Sequence, residues 1–306
     1  MVGIAQTESW PRRILRWFWE LAHASVTVFL SPAARYGKLY DHVFGTRNLL
    51  GENSQFVNLG YWADNPSTLD GACSDLARLT ARAGGLSPGD VVVDVGCGYG
   101  DQDFLWLDEF RPERIIGVNV ATKQVASANA RAREKSVAQR VSFVEGAASN
   151  LPVPDGSATK VVALESAFHF PSRREFFAEA LRVLRPGGML VLADIVPLRR
   201  SEVTAPIGRV PVIGALVRGM FMADRHPIDI HGFTDALTRA GFENPSVRSI
   251  RDDVYAPFAE FMDTRFAQPE MRKVNPVGRL YFGKVGSRVW APFMDYVIVV
   301  AEKPAG

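Results

Sequence analysis

Two cysteines in 306 residues, Cys73 and Cys97, are too few for a disulfide framework. With no CxxC pair and no Cys/His cluster, they suggest no zinc or other metal site. A reducing, cytoplasmic setting is the expectation. Charge of one sign is missing as well: 35 Lys and Arg stand against 33 acids, and no run of like charge resembles a nucleic-acid arm. No nucleic-acid partner is therefore expected. Long apolar runs are also lacking. The best stretch, residues 17–30, is too short to span a bilayer and is interrupted by Glu20 and His23. Internal repeats and low-complexity tracts are absent, which excludes solenoids and propellers.

What is present is an ordinary globular balance, 47% hydrophobic and 22% charged, enough for one sizeable core with an elaboration. The 17–30 stretch reads as an amphipathic helix. Arg13, Arg16, Glu20, His23 and Thr27 fall on one side, and Leu15, Phe18, Leu21, Val26 and Phe29 on the other. Such a stripe usually packs on its own protein; a weak membrane-surface contact through residues 10–30 stays open, as does a homodimer.

From Val91 onward short apolar runs alternate with helical patterns, the rhythm of a parallel sheet with crossover helices. Residues 91–95, 114–120, 141–145, 160–164 and 189–196 read as buried strands, with helices over 101–110, 122–135 and 172–184 between them. After the fifth strand the rhythm breaks into a Pro- and Gly-punctuated apolar stretch, 197–232, which reads as an inserted lid. A helix at 234–240 and strand-like runs at 246–254 and 295–301 close the chain. The expected architecture is α/β: a Rossmann-like, seven-stranded, mostly parallel sheet with helices on both faces. Residues 1–85 form an N-terminal helical cover and residues 86–306 the core.

Asp94-Val95-Gly96-Cys97-Gly98-Tyr99-Gly100 sits where the first strand ends and a helix begins. There Gly96 permits a tight turn, Gly98 leaves bare backbone for a ligand, and Gly100 lets the helix pack closely. The dinucleotide fingerprint GxGxxG needs a glycine where this chain has Asp101, which disfavours a nicotinamide dehydrogenase.

With these residues, with LPVPDGSATKVVALESAFHF and with ALRVLRPGGMLVLADIVP, the chain resembles the class I S-adenosylmethionine-dependent methyltransferases. Within them it is similar to small-molecule enzymes such as the rebeccamycin-type sugar O-methyltransferases and the phthiotriol dimycocerosate methyltransferase. The resemblance implies S-adenosylmethionine as cofactor and a small, lipophilic acceptor methylated on a hydroxyl. It implies cofactor contacts from Asp94, Gly96, Cys97, Gly98 and Gly100, from Asn119, Val120 and Gln124, and from Ala147, Ala148 and Leu164. Two departures stand out. Asn119 replaces the usual ribose-binding acid, and an amide offers both donor and acceptor; Ala147 replaces an Asp for the adenine, leaving backbone and apolar contact.

Methyl transfer chiefly needs alignment, and an alcohol acceptor also needs a base. The resemblance points to His169, after the fourth strand, with Asp194 as its companion acid; the alternative is that His169 only packs beside the cofactor. Glu165 is either a structural carboxylate or, in a C-methylation reading, the base that removes a proton from a carbocation shielded by Tyr61, Trp62, Phe168, Phe170 and Phe221. A cofactor-binding protein without catalysis is the remaining rival. The ligand-type residues of 224–231 read as a loop and not as a metal site.

Overall fold

The computed structural model describes residues 10–27, 48–203, 222–224 and 226–306. Phe221 and residues 204–220 of the expected lid lie outside the described residues, as does Arg225. The apolar runs assemble into one sheet: β1 Val91–Val95, β2 Arg114–Asn119, β3 Val141–Glu145, β4 Ala158–Leu164, β5 Leu184–Pro197, β6 Glu243–Ser249 and β7 Met294–Glu302. Their order is β3-β2-β1-β4-β5-β7-β6, with β7 antiparallel to both of its neighbours and the other pairs parallel.

The inner strands are rich in buried apolar side chains because both faces are covered, with Asp94 and Asp194 buried among them, while the edge strand β6 is mostly exposed. On one face Val92, Val162 and Val191 pack against α2 Leu69–Ala83, α3 Asp101–Glu109, α4 Thr122–Glu134 and α7 Tyr255–Ala267. On the other, Val93, Val161 and Leu190 pack against α5 Arg173–Val183 and α6 Ile230–Ala240. α2 shares its cluster with the sheet, so this part of the 1–85 cover is continuous with the core. α1 Trp10–Thr27 lies against the segment just before α8 Pro276–Phe282, with Arg16 donating to the Lys273 carbonyl at 2.8 Å and Asn275 to Glu20 at 3.1 Å.

Three stretches differ from the sequence expectation. Pro186-Gly187-Gly188 does not separate α5 from β5. The strand begins at Leu184 and runs through them, with Ala158 paired to Leu184 and Lys160 to Met189, so the turn residues form an irregularity within the pairing. β6 starts at Glu243 and stops at Ser249, because an edge strand tolerates Pro245 and Asn244 takes a left-handed φ of 50° at the register shift. The apolar, basic stretch between the last two strands is helical: α7, α8 and α9 Lys284–Trp290. Its signals are local. Tyr255, Phe258, Met262 and Phe266 recur at helical spacing, and Asn275 caps α8 with Pro276 at its first position.

Candidate active site

In an open α/β sheet ligands settle outside the carboxyl ends of the strands where the strand order reverses, which here is between β1 and β4. A cavity of about 960 Å³, including its open mouth, lies there. Its floor is the turn after β1. Gly96, at φ 87°, donates to the Val118 carbonyl at 2.7 Å, and a Cβ there would lie 2.3 Å from that of Ser166. Gly100, at φ 82°, starts α3, and a Cβ there would meet the Phe143 ring at 2.4 Å. Gly98, at φ 58°, is different: nothing but a Val57 methyl stands within 4.0 Å of its missing Cβ, so bare backbone faces open space.

Behind the turn lies a buried acid pair. Gln102 donates to Asp94 at 2.9 Å and to the Cys97 carbonyl at 3.1 Å, which ties the glycine turn to the strand below it. Burial raises the Asp94 carboxyl to about 7, and burial together with the neighbouring Asp94 pushes the Asp103 carboxyl well above the usual carboxylate range. Asp94, Cys97 and Gly100, expected as cofactor contacts, are not among the residues that line the cavity. They support the turn from behind, Cys97 lying against Gly117.

At the β2 end the Ala121 amide donates to Asn119 Oδ1 at 3.2 Å, which fixes that side chain's orientation. Asn119 Nδ2 then donates to Gln124 Oε1 at 2.8 Å and to the Gly98 carbonyl at 3.3 Å. Gln124 Nε2 is left buried in the cavity wall without a partner among the described residues. A buried donor left unpaired is costly unless a ligand satisfies it. Val120, Ala147, Ala148 and Leu164 also line the cavity.

The far wall follows β4. Glu165 takes a left-handed φ of 49°, a strained conformation for a non-glycine residue. Its Oε2 accepts from the Leu59 amide at 3.0 Å and from the Tyr296 hydroxyl at 2.7 Å, and burial pushes the carboxyl up to about 8. His169, on the next turn, also lines the cavity, with the Phe168 ring 3.9 Å from its imidazole.

The expected companion acid is placed elsewhere. Asp194 is fully buried, paired with Arg173 at 2.8 and 3.0 Å, and accepts the Ile195 amide at 2.9 Å; it does not line the cavity. Asp194 thus faces the Arg173 guanidinium and the adjoining turn and not the cavity that His169 lines. The aromatic set is not brought together either. Phe170 lines the cavity, but Trp62 is buried against Phe261 at 4.9 Å, Phe168 is buried beneath His169, and Tyr61 packs on the core, while Phe221 is outside the described residues. Among the described residues no three His, Cys, Asp or Glu side chains cluster as a metal site.

Sequence reading missed Gln102, Gln55, Asn58 and Tyr296. Gln102 was within reach, since it lies two residues beyond the last glycine of the turn, on the first turn of α3. Tyr296 had no local signal, lying 131 residues from the carboxyl it bonds.

Residues 93–192 match the family model for a methyltransferase domain. The chain is 34% identical over 284 residues to erythromycin 3''-O-methyltransferase of Saccharopolyspora erythraea, spanning 89% of this chain and 91% of the relative. The chain belongs to the S-adenosylmethionine-dependent methyltransferases. It is also 32% identical to the 27-O-demethylrifamycin SV methyltransferase of Amycolatopsis mediterranei, over 88% of this chain and 96% of that one. Among solved structures, the 4+2 cyclase SpnF superposes with a TM-score of 0.70 at 25% identity, covering 90% of this chain and 97% of that one. This methyltransferase therefore shares its Rossmann-like fold with that cyclase over most of both chains.

Proposed function

We propose that the enzyme methylates a hydroxyl of a small, lipophilic natural-product acceptor. The observation that carries this reading is the wall at the end of β4: His169 and Glu165 stand beside Phe170, Pro171, Leu164 and Val57, with no cationic side chain among the described lining residues. The names of the two relatives place methyl groups on oxygen, in erythromycin and in 27-O-demethylrifamycin. The bound cofactor supplies a methyl group activated on a sulfonium. In this reading Gly96 and Gly98 cradle it with backbone, Gln124 donates to its ribose, and Ala147 and Ala148 leave room for the adenine. The free donor of Gln124 and the open space over Gly98 fit such a group.

The chain's own groups do the rest. The apolar wall excludes water and aligns the acceptor, and His169, in the same wall, takes the hydroxyl proton as oxygen attacks. We expect His169→Asn to lower kcat about 10²- to 10⁴-fold on a demethylated macrolide glycoside while leaving S-adenosylhomocysteine affinity intact. Labelled methyl must appear as an ether with every acceptor C–H retained; a C-methyl product, or cofactor binding with no transfer, overturns the reading.

Gln124→Ala is expected to weaken S-adenosylhomocysteine binding about tenfold by calorimetry, the worth of a desolvated hydrogen bond or two. Asn119→Ala with Gln124→Ala should weaken it further, because Asn119 also donates to the Gly98 carbonyl and so steadies the glycine turn. Unchanged affinity in both refutes the ribose assignment.

The two free thiols are buried, which suits the cytoplasmic setting proposed from composition. No described helix is long and apolar enough to cross a membrane. α1 nevertheless exposes Trp10 and Phe18 at 69% each, with Leu15 and Trp19 beside them and Arg12 at the edge. In the proposed reading this face rests on an anionic bilayer surface from which the acceptor is drawn. Wild-type protein should pellet with vesicles containing phosphatidylglycerol and not with neutral ones, and Phe18→Asp should abolish pelleting. A salt-insensitive dimer lost in the same variant would assign the face to a second copy.

A further inference from the structure

Glu165 is the only carboxyl among the described residues lining the cavity, and those residues include no lysine or arginine to balance it. Both of its protein hydrogen bonds, from the Leu59 amide and the Tyr296 hydroxyl, reach Oε2. No hydrogen bond to Oε1 is made by the described residues. The titratable and charged groups bearing on it come from four elements: Asp194 of β5, Cys73 of α2, Tyr255 of α7 and Tyr296 of β7. None is a cation, and Arg173, the guanidinium of this network, is committed to Asp194. His169 shares the wall. The strained backbone of Glu165 is held by its amide bond to the Ala193 carbonyl at 2.6 Å. Next in sequence, Ser166 bonds the Val95 carbonyl at 2.6 Å, directly beneath the glycine turn.

We propose that Glu165, positioned by Tyr296, is the group by which this methyltransferase distinguishes its positively charged cofactor from the uncharged thioether product: the charged form ionises Glu165 and expels its proton to solvent, and once the charge is lost the carboxylate takes a proton up again. The inference rests on the cavity's holding the cofactor at its glycine turn. Burial raises the carboxyl to about 8, which favours its neutral form near pH 7. A cation beside a low-dielectric carboxylate stabilises the charged form and lowers that value. The Tyr296 hydroxyl favours the same charged form by donating to it. The protein thus holds the sulfonium through an ion pair that vanishes with methyl transfer, which weakens its hold on the product.

The experiment is a calorimetric titration of the full chain with S-adenosylmethionine and, separately, S-adenosylhomocysteine, between pH 6 and 9, in buffers of differing ionisation enthalpy. The two ligands share amino, carboxyl, ribose and adenine groups, so the difference between them isolates the sulfonium. Sign and window follow from linkage. A carboxyl that loses its proton on binding makes affinity rise with pH by about tenfold per unit below its unliganded pKa and level off above it. We expect S-adenosylmethionine to release about one proton more than S-adenosylhomocysteine at pH 7, with the excess fading above pH 8. Glu165→Gln should erase the difference while both ligands still bind. Tyr296→Phe should move the fading to higher pH, since the lost donor no longer favours the carboxylate; a merely structural tyrosine would leave it in place. Equal proton release for the two ligands in the wild type, or a difference that survives Glu165→Gln, overturns the proposal while the cofactor site stands. Absence of binding by either ligand overturns both.

Discussion

Replacing Arg173 by leucine should cost about 3–5 kcal/mol of stability, the usual penalty for stripping one partner from a fully buried ion pair. Both side chains have no exposed surface, and Arg173 also donates to the Ile195 carbonyl at 2.9 Å. Burial already pushes the Asp194 carboxyl above its usual range despite the guanidinium beside it, so desolvation outweighs attraction even in the intact pair. Without Arg173 that carboxyl rises further. A folded-state pKa above the unfolded value means the folded state binds the extra proton. The loss relative to wild type is therefore smallest at low pH and grows as pH rises from the already raised folded-state value of the intact pair toward the higher one of the variant. Urea unfolding at pH 5 and pH 8 checks this, and Arg173→Leu with Asp194→Leu should recover most of the loss. Equal stability of the single variant and wild type at pH 8 would show that the pair is not closed to water. Because Asp194 also receives the Phe168 amide, the single variant should loosen the turn that carries His169 as well.

Gly98→Val should leave the protein folded yet lower S-adenosylhomocysteine affinity by about 100-fold or more, near 2.7 kcal/mol. The missing Cβ of Gly98 points into open space, so its side chain fills the cavity and not the core. The φ of 58° adds a strain of roughly 1–2 kcal/mol, which a domain of this size survives. Gly96→Val and Gly100→Val are the contrast. Their side chains would strike Ser166 and Phe143, so the same substitution there should lower the melting temperature before any binding is measured. Calorimetry and thermal unfolding on the three variants separate a ligand-facing glycine from two packing glycines. Gly98→Val binding as wild type would move the cofactor off this turn.

Much of the architecture was legible because its cause is local. β1 and β3 match their sequence-expected bounds, since a short β-branched run flanked by turn residues leaves the chain few alternatives. Where local signals misled, a partner strand prevailed. Pro186-Gly187-Gly188 looks like a stop, but the chain beyond Leu184 is held in register by β4, and β6 begins at Glu243 because β7 pairs with it from Glu302.

Glu165 and Asp194 show the same limit within the site. Both are acids near the ends of adjacent strands, in stretches that resemble one family, and nothing in their neighbours' identities says which faces the cavity. Arg173, 21 residues from Asp194, closes one away; Tyr296, 131 residues from Glu165, holds the other in the wall. The amino-acid order alone determined the strand-turn-helix with bare backbone at Gly98, hence the class of ligand, because backbone conformation answers to immediate neighbours. Only the tertiary structure decided which carboxyl lines the cavity and which is closed off by a guanidinium, because solvation and charge depend on groups brought together from distant parts of the chain.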